Sequence, residues 1–333
     1  MRISVLGAGG WGTTLAVLLH HNGHDVTLWE YKRQYAKALN RYRENKIYLP
    51  GIKIPKEITI THSLDESCEN KNMIVLAVPA QFIRSVLHSM KKYDFNDTTF
   101  VSVSKGIEKN TLLTVSQIIK DEFKDISALQ IGVLSGPSHA EEVSRKIPTA
   151  VVAAARDHST AKQIQSAFIT SYFRVYSSTD ILGVEYGGAL KNVIAIGAGI
   201  IDGAKFGDNT KAAIMTRGVA EISRLGIALG AKPETFSGLS GMGDLIVTCM
   251  SKHSRNRYVG EQIGRGKKLK DVLKKMKMVA EGVETCRSVH QLSQKHKIET
   301  PIAEAVYKIL FEERDPTKVT YELMTRDMKA ENE

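Results

Sequence analysis

The chain opens with Arg2-Ile-Ser-Val-Leu-Gly-Ala-Gly-Gly-Trp-Gly12, in which an apolar segment runs directly into the pattern G-x-G-x-x-G. A helix-like segment, Thr13–His21, follows at once. In such a turn Gly7 permits the sharp bend, Gly9 lets the main chain approach a pyrophosphate, and Gly12 lets the helix pack closely on the sheet. The helix N-terminus offers unpaired N–H groups and a positive dipole end to phosphates. The stretch therefore predicts a unit that binds a dinucleotide.

The segment after this helix bears on which dinucleotide is bound. A second apolar run, Val26–Trp29, leads into Glu30, which lies 18 residues after Gly12. An acidic residue at this point binds the ribose 2′-OH and favours NAD, whereas the nearby Lys32 and Arg33 suit the 2′-phosphate of NADP. The sequence leaves the choice between NADH and NADPH open.

Strand-like and helix-like segments alternate over the first 180 residues. Helical patterns occur at Thr111–Glu122 and Ser159–Ile169. The further apolar runs typical of buried strands are Met73–Val78, Phe100–Val103, Ile131–Leu134, Thr149–Ala153 and Phe173–Tyr176. This alternation predicts an α/β region with a Rossmann-like, doubly wound and mainly parallel sheet.

Strand signals nearly disappear after residue 180, and helical patterns replace them. These patterns are Val184–Asp202, Thr210–Leu229, Arg257–Arg265, Leu269–Lys275, Glu284–Lys295 and Pro301–Glu312. We therefore expect two domains: a dinucleotide-binding domain over residues 1–183 and an all-α substrate and catalytic domain over residues 184–333. Because no low-complexity linker separates them, the two domains are expected to share a tight interface.

Composition narrows the class of protein. Met1 leads directly into the first strand, and no run approaches about 18 apolar residues, so we expect neither secretion nor membrane insertion. The cysteines Cys68, Cys249 and Cys286 are widely spaced, which predicts reduced thiols in a cytoplasmic protein and no metal site.

Positive charge is unevenly distributed along the chain. The formal net charge is +10, and residues 251–278 hold ten lysines and arginines against two acidic residues. No aromatic residues are arranged for base stacking among these charges, so nucleic acid is not an expected partner. Lys267–Lys277 is interpreted as mostly a solvated face, and its role stays open.

Three turns are expected to meet at one edge of the sheet. Lys105 follows a buried strand, Gly136–Ser138 follows the next, and Gly9–Gly12 follows the first. In an open α/β sheet, ligands bind outside the carboxyl ends of the strands, and the helical domain would close this crevice. Position alone leaves two interpretations of Lys105: a cation presented to a ligand, or an ordinary lysine in a surface loop.

A lysine also stands inside an apolar, glycine-containing helix. Lys191 and Asn192 are flanked by small and apolar residues, and lysine is almost never fully buried without a partner. Burial, together with the charge of Lys105, would lower its pKa and make it a proton donor and acceptor near neutral pH. The alternative is a lysine that extends along the helix edge to solvent.

Two later segments offer ligand-binding groups. The first is a second glycine-rich loop, Gly238–Gly243, which ends at the acidic Asp244. Ser254-Arg255-Asn256 presents hydroxyl, guanidinium and amide donors in succession, which suits a phosphate group.

These features share one order with a known family. The matching stretches are Gly7–Thr13, Tyr48–Gly51, Ala77–Pro79, Ser104–Ile107, Ser135–Ser138, Gly188–Asn192, Gly238–Asp244, Ser254–Asn256 and Glu281–Glu284. Together they resemble the NAD(P)-dependent glycerol-3-phosphate dehydrogenase family over nearly the whole chain.

The resemblance implies a reaction and a set of site residues. The reaction is hydride transfer between NAD(P)H and dihydroxyacetone phosphate, giving sn-glycerol 3-phosphate for phospholipid synthesis by a homodimer. Lys191 would be the proton donor and acceptor, with Lys105 beside the same oxygen. The implied substrate contacts are Lys105, Gly136, Ser138, Lys191, Asp244, Ser254, Arg255 and Asn256. The cofactor contacts expected from the glycine turn and the resemblance are Gly7, Gly9, Gly10, Trp11, Gly12, Tyr31, Lys32, Lys105, Ala140, Arg255, Val279 and Glu281.

Two other functions fit the same organisation. A related 2- or 3-hydroxyacid dehydrogenase would take a carboxylate substrate and would be indifferent to a phosphate group. A non-catalytic NAD(H)-binding sensor would turn nothing over, and Lys191 would then have no role.

Overall fold

A computed structural model describes residues 1–328, 330 and 331. In this part of the chain the strands are β1 (Arg2–Leu6), β2 (Asp25–Trp29), β3 (Glu44–Asn45), β4 (Leu49–Lys53), β5 (Thr59–Thr61), β6 (Met73–Leu76), β7 (Thr99–Ser102), β8 (Ile131–Ser135), β9 (Thr149–Ala155) and β10 (Phe173–Ser178). The helices of the first half are α1 (Gly10–His21), α2 (Arg33–Tyr42), α3 (Leu64–Cys68), α4 (Ala80–Ser89), α5 (Val115–Glu122), α6 (Ala140–Val143) and α7 (His158–Phe168).

Only helices follow β10 in the described residues. They are α8 (Ile181–Ala204), α9 (Asp208–Ala228), α10 (Pro233–Phe236), α11 (Asp244–Met250), α12 (Arg255–Gly264), α13 (Leu269–Lys275), α14 (Glu281–His296), α15 (Pro301–Phe311) and α16 (Pro316–Met324). The predicted division between residues 183 and 184 falls in the first turn of α8 and stays a prediction. Lys329, Asn332 and Glu333 of the predicted second domain lie outside the described residues.

Eight strands form one sheet in the order β10-β9-β8-β7-β6-β1-β2-β5. Neighbours are parallel except β8 and β9, so the last two strands run opposite to the rest. Strands β6 and β8 are buried along their whole length, which explains their continuous apolar sequences. The predicted mainly parallel sheet is confirmed, and its carboxyl edge carries the turns after β1, β7 and β8.

The predicted segments match the structure closely, with informative exceptions. The five predicted runs from Met73 to Tyr176 agree with β6–β10 to within two residues at each end. Helix α5 begins at Val115 rather than Thr111, because Thr114 and Gln117 form a capping box there. The two-stranded β3–β4 hairpin and the edge strand β5 were not predicted.

Helix α8 is the centre of the helical region. Twenty of its 24 residues are buried. It is the one described helix long and apolar enough to cross a membrane, but its most apolar window lies entirely inside the protein, as in a core helix. Cys68, Cys249 and Cys286 are buried free thiols.

Helices α8 and α12 pack with their backbones in direct contact at glycine residues. A Cβ atom added to Gly199 would lie 2.0 Å from the Arg257 carbonyl oxygen, and one added to Gly260 would lie 1.9 Å from the Ile196 carbonyl oxygen. Gly203 meets the Glu261 carbonyl oxygen in the same way. We call these contacts the glycine seam. Because backbone meets backbone, the seam sets the relative position of α8 and α12.

We predict that Gly260→Ala destabilises the protein. The new methyl group would overlap the Ile196 carbonyl oxygen, and overpacking of this kind costs about 1–3 kcal/mol or more. Urea denaturation should show a lower midpoint. Gly243→Ala is the control, because its Cβ would come no nearer than 3.7 Å to the Gly238 carbonyl oxygen. Equal midpoints for the two variants would contradict the tight seam.

Candidate active site

The glycine turn after β1 leaves room for a ligand at one point. Gly7 has φ +112°, a conformation that L residues rarely adopt, and a Cβ there would lie 2.8 Å from the Ala77 carbonyl oxygen. A Cβ on Gly12 would lie 1.9 Å from the Gly7 carbonyl oxygen, so the helix packs directly on the turn. A Cβ on Gly9 would meet no atom within 4 Å. The open face of the turn is therefore at Gly9.

Helix α1 begins beside this open space. Among the described residues no side chain caps it, and its first turn contains no acidic residue. Ala140 lies close by, since its Cβ is 3.7 Å from a Cβ built on Gly10, and its carbonyl oxygen accepts the Thr14 hydroxyl at 3.3 Å. Trp11 is half-buried, with its ring centroid 6.3 Å from that of Phe173. The uncapped N-terminus and the clear space fit an anionic pyrophosphate.

The end of β2 presents both an acidic and basic residues. Glu30 is half-buried, and its carboxylate accepts the backbone N–H of Lys32 at 2.9 Å. Burial raises the pKa of Glu30 above its ordinary value, and hydrogen bonds from Lys32 and Ala8 oppose this. Tyr31, Lys32 and Arg33 are exposed. The structure therefore places an acidic and two basic side chains together after β2.

One carboxylate joins the two predicted lysines. Asp244 begins α11, and its Oδ1 lies 2.9 Å from Lys191 Nζ while its Oδ2 lies 2.7 Å from Lys105 Nζ. The Asp244 side chain is 2% exposed, that of Lys191 6% and that of Lys105 19%. The interpretations of Lys191 as a lysine reaching solvent and of Lys105 as an ordinary surface lysine are therefore wrong.

Helix α11 supplies a second partner for Lys191. Thr248 lies one turn after Asp244, and its hydroxyl oxygen accepts a hydrogen bond from Lys191 Nζ at 2.5 Å. Thr248 was missed by the sequence analysis, because the glycine-rich approach to Asp244 was interpreted as a loop. In the structure Leu239–Gly243 forms a π-helical turn that leads straight into α11.

The environment perturbs both members of the buried pair. Burial lowers the pKa of Lys191 to about 8; the Asp244 carboxylate opposes this shift, and the charge of Lys105 adds to it. Burial alone would raise the pKa of Asp244, but the two ammonium groups outweigh it and hold that pKa below its ordinary value. Asp244 is thus a carboxylate, and Lys191 can gain or lose a proton near neutral pH.

Lys105 is also tied to the turn after β8. Its ammonium donates to the Gly136 carbonyl oxygen at 2.8 Å and lies 3.4 Å from Ser138 Oγ. Gly136 has φ +139°, and a Cβ there would lie 3.0 Å from Val151 Cα. The predicted meeting of the turns after β7 and β8 is confirmed by these contacts.

A chain of amides links α8, α12 and α14. Asn192 donates to the Lys105 carbonyl oxygen at 3.2 Å and accepts the Asn256 amide at 2.8 Å. Asn256 in turn accepts the backbone N–H of Gly282 at 3.0 Å. Asn192 was not among the predicted site residues, although its place directly after Lys191 was a usable signal. These bonds fix the side chain of Asn256 against Asn192, the residue that follows Lys191.

The remaining residues of the predicted phosphate segment have different surroundings. Ser254 caps α12 by accepting the Arg257 N–H at 3.1 Å, so its own O–H is the group it can still offer. Arg255 is exposed, and one of its guanidinium nitrogens donates to the Val279 carbonyl oxygen at 2.8 Å. Val279 is 42% exposed.

Glu281 carries a buried oxygen with no partner among the described residues. Its Oε1 accepts the Ala80 N–H at 3.0 Å, while its Oε2 is buried and unbonded. Burial raises the pKa of Glu281 to about 7. A buried polar atom without a partner is costly, so a ligand group that bonds it would be favoured. No cluster of His, Cys, Asp and Glu suited to a metal ion occurs in the described part of the chain.

The family model for the N-terminal half of NAD-dependent glycerol-3-phosphate dehydrogenase matches residues 2–161, and the model for its C-terminal half matches residues 180–321. The chain belongs to the NAD-dependent glycerol-3-phosphate dehydrogenase family. Membership confirms the predicted resemblance and the NAD(P)-dependent enzyme class. It supports this function over the hydroxyacid dehydrogenase and the non-catalytic sensor.

Individual members of the glycerol-3-phosphate dehydrogenase family agree along the whole chain. Glycerol-3-phosphate dehydrogenase [NAD(P)+] 1 of Salinibacter ruber is 52% identical over 99% of this chain and 97% of its own length. The crystal structure of the Coxiella burnetii enzyme is 36% identical, with a TM-score of 0.93 over 98% of this chain and 99% of that chain. The enzyme of Saccharomyces cerevisiae is 28% identical, with a TM-score of 0.82 over 98% of this chain and 99% of that one.

We predict that Glu281→Gln changes how stability depends on pH. The folded-state pKa of about 7 exceeds the ordinary 4.5, so the wild-type protein loses stability as pH rises from 4.5 through 7, by at most about 3 kcal/mol. The variant lacks this loss. Urea midpoints of the ligand-free proteins should therefore diverge in favour of the variant between pH 4.5 and 8.

Glu284→Gln on the same helix is the matched control, since the Glu284 side chain is 38% exposed. If the urea midpoints of Glu281→Gln and wild type differed by a constant amount across this pH range, the raised pKa of the buried Glu281 carboxyl group would be contradicted.

Proposed function

We propose that the protein interconverts dihydroxyacetone phosphate and sn-glycerol 3-phosphate with NAD(P)H. The observation that carries this proposal is the buried Asp244 carboxylate, which holds Lys191 and Lys105 together. Asn192 connects this cluster to Asn256, because it donates to the Lys105 carbonyl oxygen and accepts the Asn256 amide. A carbonyl group placed there would face two ammonium groups, and a phosphate at its far end would face α12.

Lys191 is the proposed proton donor and acceptor. In the reductive direction, negative charge develops on the C2 oxygen, and the Lys191 ammonium gives that oxygen a proton. Lys105 supplies a second positive charge at the same oxygen. When bound, the reduced nicotinamide supplies the hydride that reduces C2. Asp244 keeps both lysine side chains in place, because the nitrogen of each is bonded to one of its oxygens.

The phosphate end is assigned to the start of α12. Arg255 offers a planar guanidinium fork, Asn256 offers an oriented amide, and Ser254 offers its O–H. Gly136 and Ser138 would line the site from the opposite turn. Anchoring the remote phosphate fixes the carbonyl against Lys191 and lowers the entropic cost of reaching the transition state.

The dinucleotide would lie along the glycine turn. Gly7, Gly9, Gly10 and Gly12 would surround the pyrophosphate, and the orphan Glu281 Oε2 would bond a polar group of the cofactor. The other proposed contacts are Trp11, Tyr31, Lys32, Lys105, Ala140, Arg255 and Val279. Glu30 favours NADH and Lys32 favours NADPH, so assays with both cofactors decide between them.

The cellular setting is also part of the proposal. The buried free thiols and the family likeness support a cytoplasmic enzyme. The same likeness supports a homodimer that supplies glycerol phosphate for phospholipid synthesis. We also propose the two-domain division at residues 1–183 and 184–333.

We predict strong dependence on the substrate phosphate. Two charge-assisted hydrogen bonds of about 1.5–3 kcal/mol each imply a kcat/KM at least about 100-fold higher for dihydroxyacetone phosphate than for dihydroxyacetone. Oxidation of the reduced nicotinamide, followed by absorbance, measures both. If neither compound were turned over, the proposed function would be refuted. If both were turned over at equal rates, the proposed role of Arg255 and Asn256 in phosphate binding would be contradicted.

Lys191→Met provides the test of the proton donor within the same assay. Losing a positioned acid typically costs about 100- to 10,000-fold in rate, here with cofactor binding retained. Lys162→Met, at an exposed lysine of α7, is the control. A folded Lys191→Met variant with near-normal kcat would refute this mechanism.

We predict that pH acts oppositely on the two directions. Burial lowers the pKa of Lys191 to about 8, so its ammonium is depleted as pH rises through that value. The kcat/KM for carbonyl reduction should therefore fall above pH 8, and that for alcohol oxidation should rise. Steady-state profiles in both directions check this, and parallel profiles would contradict it.

A further inference from the structure

A second charged cluster lies outside the site described above. Near the end of α8, Asp202 accepts Lys211 Nζ of α9 at 2.9 Å on Oδ1 and 2.8 Å on Oδ2. Its Oδ2 also accepts Arg257 Nε of α12 at 2.7 Å. The three side chains are only 17–20% exposed. The proposed reaction uses none of them.

Arg257, in the first turn of α12, is held at three points. Its backbone N–H donates to Ser254 Oγ, its carbonyl oxygen lies in the glycine seam against Gly199, and its side chain bonds Asp202. Arg255 and Asn256 lie between the cap and this anchor in the sequence. The first turn of α12 is therefore held to α8 by an ion pair as well as by backbone packing.

Helix α8 carries both Lys191 of the proposed active site and Asp202, which binds Arg257. Lys191 lies 11 residues before Asp202, about three turns earlier along the helix. Substrate would meet Lys191 at its carbonyl and the first turn of α12 at its phosphate. The relative position of these two groups therefore depends on how α12 is held against α8.

We propose that Asp202, acting through Arg257, is a positioning residue for phosphate recognition. The pair fixes the first turn of α12 so that Arg255 and Asn256 meet the phosphate while Lys191 meets the carbonyl. This inference rests on the proposed function. It also explains why Asp202 pairs with Lys211 of α9 as well as with Arg257. Lys211 fixes the Asp202 carboxylate, so that Arg257 binds a partner that is already in place.

The test compares substrates with and without the phosphate. For Asp202→Asn we expect kcat/KM with dihydroxyacetone phosphate to fall about tenfold, mainly through KM, because small displacements of an anchoring group are costly. The kcat/KM with dihydroxyacetone and the Kd of the reduced dinucleotide should stay within about twofold of wild type. A merely structural role would lower activity with both substrates alike.

Arg257 provides a second pair of variants should Asp202→Asn fold poorly. Arg257→Lys retains the charge and should recover part of the phosphate discrimination that Arg257→Met loses. Asp121→Asn is the matched control, because Asp121 is likewise paired with one arginine, Arg84 at 2.6 Å, and one lysine, Lys124 at 2.7 Å, but lies on α5. It should leave discrimination unchanged.

Two results would overturn the inference. Unchanged discrimination in both Asp202→Asn and Arg257→Met would do so, as would tighter binding of the phosphorylated substrate once Arg257 is released from Asp202. If wild type itself does not discriminate between the two substrates, the proposed function fails first. The wild-type measurement thus separates the two failures.

Discussion

The site depends on one constraint: two ammonium groups and one carboxylate are buried together. Bringing charges out of water is expensive, and the attraction between them compensates only when geometry and additional hydrogen bonds are good. Asp244 meets that condition by giving one oxygen to Lys105 and the other to Lys191, with Thr248 bonding Lys191 as well. The carboxyl edge of the sheet, α8 and α11 must therefore meet at one point, where two ammonium groups share a single carboxylate.

The sequence predicted the parts whose signals are local. The continuous apolar runs predicted β6–β10, and the strand-end rule placed Lys105 beside the turn at Gly136. What could not be predicted is which side chain joins the lysines. Asp244 lies 139 residues from Lys105 and 53 from Lys191, and no local pattern encodes contacts across such separations. Helix α11 was missed because the glycine-rich segment before it indicated a loop, since glycines disfavour helices, whereas Leu239–Gly243 forms a helical turn.

Some residues also have a structural role that the sequence did not indicate. Ser254 was predicted as a ligand contact, and the structure uses its oxygen as an N-cap for α12. Glycines inside α8 serve the close packing of the glycine seam. A helix-interior glycine costs about 1 kcal/mol relative to alanine, which the close packing of α8 on α12 offsets. That Gly260 of α12 packs against α8 could be identified only from the structure, because the two helices are separate in the sequence.

The glycine seam also bears on substrate length. Side chains can change rotamer to admit a larger molecule, but two backbones in contact have no such freedom. In the proposed reaction, the separation between Lys191 and the first turn of α12 then acts as a fixed span between carbonyl and phosphate. A ligand with one more carbon between those groups would meet the same span and would engage one of its two ends less well. Selectivity for a three-carbon phosphate would follow from helix packing rather than from the shape of the pocket wall.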